Sequence, residues 1–114
     1  MTEIGGSTAS YELALPDHAD SIIKLTWAAA TDRGHRRSAN EDSYVAQSPV
    51  FAVADGMGGH SAGDLASAAV VTRLAEVITS GFATTGAIDR ALERATSDIE
   101  IVGEDSELGV GTTV

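Results

Sequence analysis

One short stretch constrains the fold of this chain more than any other: an apolar run, Val50–Ala54, is followed by Asp55 and a glycine-rich segment, Gly56–Gly63. The run has the length and composition of an interior β-strand. Glycine lets backbone approach closely, so a carboxylate at this point is well placed to meet a ligand. Asp-Gly is also a common turn signal, so a turn without a ligand remains the simpler alternative.

A second cluster of functional residue types lies just before that strand. Arg33, Arg36 and Arg37 are three of the seven basic residues. The carboxylates Glu41 and Asp42 follow at once. Together with Asp55, these acids provide the oxygen ligands that Mg²⁺ and Mn²⁺ prefer. Positive charge beside carboxylates predicts a site for an anion and a metal together, and a solvated turn is the alternative.

Composition excludes several functional classes. The 114 residues contain no cysteine, which excludes disulfide scaffolds, thiolate metal sites and cysteine nucleophiles. A formal charge of −10 is the wrong sign for a general nucleic-acid binder. The longest apolar run, Val50–Ala54, is far shorter than the roughly 20 residues of a membrane helix. The first residues lack the pattern of a secretory signal, so we expect a cytoplasmic protein without a membrane segment.

The N-terminal part and the strands follow from local patterns. Residues 1–20 carry four acids and no Lys or Arg, and we expect a flexible acidic leader. Alternation over 23–29 predicts a half-buried strand, which places Trp27 in the core. Residues 43–46 and 50–54 are predicted to form a β-hairpin whose turn is Gln47–Pro49. Residues 109–114 begin another strand.

Two helices are predicted after the glycine-rich segment. The first begins with Asp64 as N-cap and ends before Gly81. The second has an apolar stripe from Ile88 to Val102 and ends at Gly103. An acidic loop is expected over residues 104–107. The predicted elements mix strands and helices, so the chain belongs to the α+β class.

Taken together, three segments resemble the PP2C-type, or PPM, metal-dependent serine/threonine protein phosphatases in their bacterial form. Residues 34–43, with Arg37 four positions before the acid pair, are similar to the first family motif. Residues 51–67 are similar to the second motif, and residues 111–113 resemble the third. This resemblance implies an α-β-β-α sandwich, in which two antiparallel sheets are flanked by helices.

The resemblance also implies a role for each matching residue. Asp55 would bridge two Mn²⁺ or Mg²⁺ ions, the Gly56 carbonyl would bind one of them, and Glu41 would be a further ligand. Asp42 would lie close behind these ligands. Arg37 would hold the substrate phosphate, and phosphoproteins modified by Ser/Thr kinases would be the substrates. Met57 stands where eukaryotic members have a histidine, which leaves His60 only a candidate proton carrier.

The family domain is about twice as long as this chain. We therefore expect residues 21–114 to be the N-terminal part of a phosphatase domain, incomplete at the C-terminus and inactive alone. Two alternatives stay open: a non-catalytic interaction module on the same scaffold, and an unrelated cation-binding domain.

Overall fold

Two sheets and two α-helices make up the computed structural model, which describes residues 1–59, 61–104 and 109–114. A 3₁₀ helix, Glu76–Ser80, lies between the two α-helices. In chain order the other elements are β1 (Glu3–Gly5), β2 (Thr8–Leu15), β3 (His18–Trp27), β4 (Asp42–Gln47), β5 (Val50–Gly58), α1 (Ala62–Ala75), α2 (Thr85–Gly103) and β6 (Val110–Thr112). The α+β class and the two-sheet, two-helix architecture are confirmed.

The main sheet has the strand order β1-β4-β5-β6, and β2 pairs with β3 in a separate antiparallel hairpin. The pairs β4–β5 and β5–β6 are antiparallel, as expected. However, β1 runs parallel to β4, so the main sheet is mixed. The parallel direction is available to β1 because the long β2–β3 hairpin intervenes before the chain returns to the sheet.

The first 20 residues differ from the flexible leader that their composition predicts. Strands β1 and β2 both form there. The Thr2 carbonyl accepts a hydrogen bond from the Tyr44 amide (2.9 Å), and the Gly6 amide donates to the Ala46 carbonyl (3.2 Å). Backbone pairing with a partner distant in sequence orders this segment, and composition carries no information on such pairing.

Both predicted helices form, but the first differs from its prediction at both ends. At its C-terminal end, α1 stops at Ala75 and the 3₁₀ helix continues to Ser80. Gly81 follows the 3₁₀ helix in a left-handed conformation (φ 70°), and α2 has its N-cap at Thr84, whose side chain accepts from the Ala87 amide. In α1 the N-cap is Ser61, not Asp64. Asp64 is the third residue of the helix, because the chain reverses at Ser61 (φ 71°) and enters α1 earlier than predicted. The predicted acidic loop lies mostly outside the described residues.

The core lies between one face of the main sheet and α1, with α2 packed on α1. Its buried members are Val45, Val50, Ala54, Val70, Val71, Leu74, Ala91 and Ala95. Strand β5 alternates accordingly: Ala54 and Gly56 are buried, whereas Val53, Asp55 and Met57 are exposed on the other face. The acid that follows the apolar run therefore points away from the helices.

A bidentate ion pair joins the two helices. Arg73 Nε and Nη2 donate to the two carboxylate oxygens of Asp98, at 2.6 and 3.0 Å. Glu76 accepts from Arg73 (2.9 Å) and lies 2.8 Å from Arg94 Nη1. Hydrogen bonding to Arg73 lowers the pKa of Asp98 below its ordinary value.

In the described part of the chain, no helix has both the length and the apolar character needed to span a bilayer.

This ion pair gives a pH-dependent stability. Folding lowers the pKa of Asp98 from its unfolded-state value, near 3.8. The ion pair therefore stabilises the folded state fully above that pH, and this stabilisation is lost as the pH falls through the lower pKa of the folded state. We expect Asp98→Asn to destabilise the protein at neutral pH, and the difference from the parent chain to shrink below about pH 3.8. Urea denaturation across this pH range measures it. The control is Asp89→Asn, which makes the same substitution at an exposed position of the same helix. If the free energy of unfolding of Asp98→Asn differs from that of the parent chain by the same amount at every pH, the prediction is contradicted.

Candidate active site

Two carboxylates face each other across β4 and β5. Asp42 is the direct cross-strand partner of Asp55. Directly opposite residues of an antiparallel pair project from the same face, with Cβ atoms about 4.5–5.5 Å apart. Like charges in this position destabilise a sheet. A cation between the two carboxylates removes that repulsion, so the pair has the chemistry of a metal site.

Glu41 is held by contacts to β5 and α1. Its backbone carbonyl accepts hydrogen bonds from the Gly56 amide (3.3 Å) and from Ser67 Oγ (2.5 Å). Its side chain is 21% exposed and lies against Gly63, where an added Cβ would be 2.8 Å from Glu41 Oε1. An added Cβ at Gly56 would be only 2.0 Å from the Gly63 carbonyl oxygen. The glycines of the second motif therefore bring α1, β5 and Glu41 into close contact.

Arg37 reaches this group from the preceding loop. Its Nη1 lies 3.9 Å from Glu41 Oε2, and its side chain is 73% exposed. An ion pair this long and this exposed contributes little to stability. The guanidinium is consequently available to an incoming anion, to which its planar fork can donate two parallel hydrogen bonds.

A cleft of about 270 Å³, called here the carboxylate cleft, brings the predicted residues together. Its lining includes Arg33, Arg37, Asn40, Glu41, Asp42 and Asp55. Gly56 is buried outside this lining, so its predicted role as a carbonyl ligand stays a prediction. His60 lies outside the described residues, and its role as proton carrier also stays a prediction.

The carboxylates line one cleft without converging on one point. Within residues 1–59, 61–104 and 109–114, no group of three or more His, Asp or Glu side chains is arranged to hold a metal ion. Among the described residues, Glu41, Asp42 and Asp55 therefore share a cleft but do not converge on one ion position.

Three residues that position the acids were given no role from the sequence patterns. Asn40 Oδ1 accepts from the Asp42 amide (3.0 Å), and its Nδ2 donates to Thr31 Oγ1 (2.7 Å). Ser67 hydrogen-bonds the buried Ser43 (2.9 Å). Thr113 brackets Asp55, since its Oγ1 accepts from the Asp55 amide (3.2 Å) and its amide donates to the Asp55 carbonyl (3.0 Å). All three lie within the segments that resemble the family motifs, and that position was the feature of the sequence that could have identified them.

Curated proteins with similar sequences are bacterial phosphatases. The chain is 39% identical over 96 residues to the serine/threonine protein phosphatase PstP of Mycobacterium tuberculosis, a match that spans 81% of this chain and 19% of PstP. It is 35% identical over 97 residues to the serine/threonine phosphatase Stp of Listeria monocytogenes, which spans 74% of this chain and 38% of Stp. No protein-family model matches the chain.

Solved structures give the same result. A crystal structure of M. tuberculosis PstP superposes with a TM-score of 0.65 at 39% identity, over 75% of this chain and 38% of that one. A second structure, the PstP catalytic domain in complex with two manganese ions, also has a TM-score of 0.65 and 39% identity. The chain thus spans less than two fifths of each relative named here. In sequence and in fold, this chain is related to the bacterial PP2C-type serine/threonine protein phosphatases, over part of their length.

Proposed function

We propose that residues 21–114 supply part of an active site that hydrolyses phosphoserine and phosphothreonine esters on proteins. The observation that carries this proposal is the carboxylate cleft, where Arg37 lies beside Glu41, Asp42 and Asp55. An anion-binding group next to oxygen ligands suits a phosphate ester held against cations. The phosphatase relatives support the same reaction class.

The proposed cofactors are two Mn²⁺ or Mg²⁺ ions. The donor set fits hard cations, because Asp42 and Asp55 repel each other across the strands without one. Asp55 would contact both ions, Glu41 and the Gly56 carbonyl would be further ligands, and Asp42 would lie behind them. When bound, such ions supply Lewis acidity and lower the pKa of water.

The protein residues bind and orient the substrate. Arg37 would donate to two phosphate oxygens and fix the phosphorus atom above the carboxylates. The hydrogen bonds from Gly56 and Ser67 to the Glu41 backbone would keep its carboxylate in place as the substrate enters. His60 is the proposed proton carrier.

Proteins phosphorylated by Ser/Thr kinases are the proposed substrates, and the cytoplasm is the proposed location.

We further propose that the chain by itself is inactive. Its acids do not surround one ion within the described residues, and further ligands would come from the part that the relatives have beyond this match. A non-catalytic module on the same scaffold would not hydrolyse phosphate esters even when that part is supplied.

A chimaera tests this proposal. We expect a protein in which this chain replaces the matching part of the PstP catalytic domain to hydrolyse an aryl phosphate with Mn²⁺, and the chain alone to show no turnover. Asp55→Asn in the chimaera should reduce kcat by at least about 100-fold, because removing even an indirect contact to a metal ligand often costs 10–100-fold.

The matched control is Asp89→Asn, which removes one exposed carboxylate on α2 and should leave turnover unchanged. Circular dichroism establishes that each chimaera is folded. A folded but inactive chimaera would instead favour the non-catalytic module, and turnover by the isolated chain that Asp55→Asn abolishes would overturn the proposed inactivity.

A further inference from the structure

A second cleft adjoins the carboxylate cleft and shares three residues with it. This flanking cleft, about 500 Å³ in volume, is lined by Arg36, Arg37, Ser38, Glu41, Gly58 and Asp64, among others. Arg37, Ala39 and Glu41 also line the carboxylate cleft. Arg37 therefore stands at the boundary between the two clefts, and a phosphate held by Arg37 has the flanking cleft directly beside it.

The charges of the flanking cleft leave one arginine unbalanced. Glu41 pairs with Arg37, and Asp64 pairs with the ammonium group of Met1. Arg36 is exposed and has no ion-pair partner among the described residues. The uncompensated charge is therefore positive, in a chain whose formal charge is −10.

The size of this cleft suits a piece of peptide. Pockets that bind small molecules commonly enclose about 300–1,000 Å³. Successive Cα atoms of a peptide are about 3.8 Å apart, so a residue next to a phosphoserine held by Arg37 comes to the mouth of the flanking cleft. A carboxylate on that residue can pair with Arg36, whereas a lysine there meets an uncompensated like charge.

We propose that the flanking cleft is a subsite for the peptide residue beside the phosphorylated one, and that Arg36 makes this subsite select Asp or Glu. This inference rests on the proposed function, because it requires phosphate at Arg37. Arg36 acts on substrate choice and has no role in the chemical step.

Binding of phosphopeptides to the chain tests the subsite without requiring turnover. Three peptides share one sequence around phosphoserine and carry Asp, Asn or Lys on both sides of it. Affinities are measured by NMR titration with Mg²⁺, which is diamagnetic, at low ionic strength, since salt screens exposed charges. We expect the Asp peptide to bind about 2- to 5-fold more tightly than the isosteric Asn peptide, the range for an exposed ion pair.

Four variants separate the subsite from the phosphate site. Arg36→Ala should abolish the Asp preference and Arg36→Glu should reverse it in favour of Lys, with the Asn peptide little affected by either. Arg37→Ala should weaken all three peptides alike. Arg90→Ala removes the same charge from an exposed site on α2 and should retain the Asp preference, as the matched control.

The outcomes distinguish the two proposals. An Asp preference that survives Arg36→Ala, while Arg37→Ala weakens every peptide, overturns the subsite and leaves the phosphate site intact. Equal binding before and after Arg37→Ala overturns the phosphate site itself. Failure of all three peptides to bind the unmodified chain overturns the subsite for this chain.

Discussion

Gly56→Ala is expected to destabilise the protein by about 3 kcal/mol or more, the upper end of the cost of overpacking a core. The new methyl group would lie 2.0 Å from the carbonyl oxygen of Gly63 and 2.8 Å from that of Glu41. Both are backbone atoms, so no side-chain rotation relieves the overlap. The start of α1 must move away from β5, which also displaces Glu41. Urea denaturation followed by far-UV circular dichroism measures the loss.

Gly111→Ala is the matched control for this prediction. Gly111 lies in β6 as the cross-strand partner of Met57, and an added Cβ there meets no atom within 4 Å. We expect its free energy of unfolding to stay within about 0.5 kcal/mol of the parent chain. Equal stability of the two variants would show that the contact between β5 and α1 does not require glycine.

Trp27→Ala is expected to release the β2–β3 hairpin from the main sheet. The indole ring makes edge-on contacts with Tyr11 and Phe51, at centroid distances of 5.6 and 5.0 Å. Its Nε1 donates to the carbonyl oxygens of Gly6 (2.7 Å) and Ala46 (3.1 Å). Removing the half-buried ring should cost about 2–4 kcal/mol. Hydrogen exchange should show lost protection over Thr8–Leu15 with α1 still protected.

Trp27→Phe separates the ring from the hydrogen bonds. Phenylalanine retains the aromatic packing and loses the two Nε1 hydrogen bonds, at a cost of about 1 kcal/mol. The Ala46 carbonyl keeps the Gly6 amide as a donor. Unchanged protection of β2 in Trp27→Ala would refute the role of Trp27 as the link between the hairpin and the sheet.

The register of the β4–β5 hairpin illustrates what a local pattern leaves open. The sequence predicts both strands but places three residues, Gln47–Pro49, in the turn. In the structure Gln47 pairs with Val50, so the connection is Ser48–Pro49. A slip of one residue moves every side chain to the opposite face. The pairing of Asp42 with Asp55 therefore depends on a detail that alternation of apolar residues does not specify.

Patterns that depend on neighbouring residues were readable from the sequence. Three features follow from local spacing and glycine conformation: the stripe of α2, the end of the first helical segment before Gly81 and the apolar strand over Val50–Ala54, which in the structure continues to Gly58. The order of the three motifs indicated the phosphatase relationship that the comparisons support. These features required no knowledge of distant contacts.

Tertiary structure decided the features that depend on distant contacts. Strand β1 forms because residues 2–6 hydrogen-bond to β4, some 40 positions later in the chain. Ser67 and Thr113 act on Glu41 and Asp55 only because α1 and β6 pack beside them. The sequence by itself determined which acids and arginines are present, and it indicated the elements whose patterns are local, such as β4, β5 and α2. Backbone pairing and close packing determined which of them share one cleft, because those contacts join segments that local patterns treat separately.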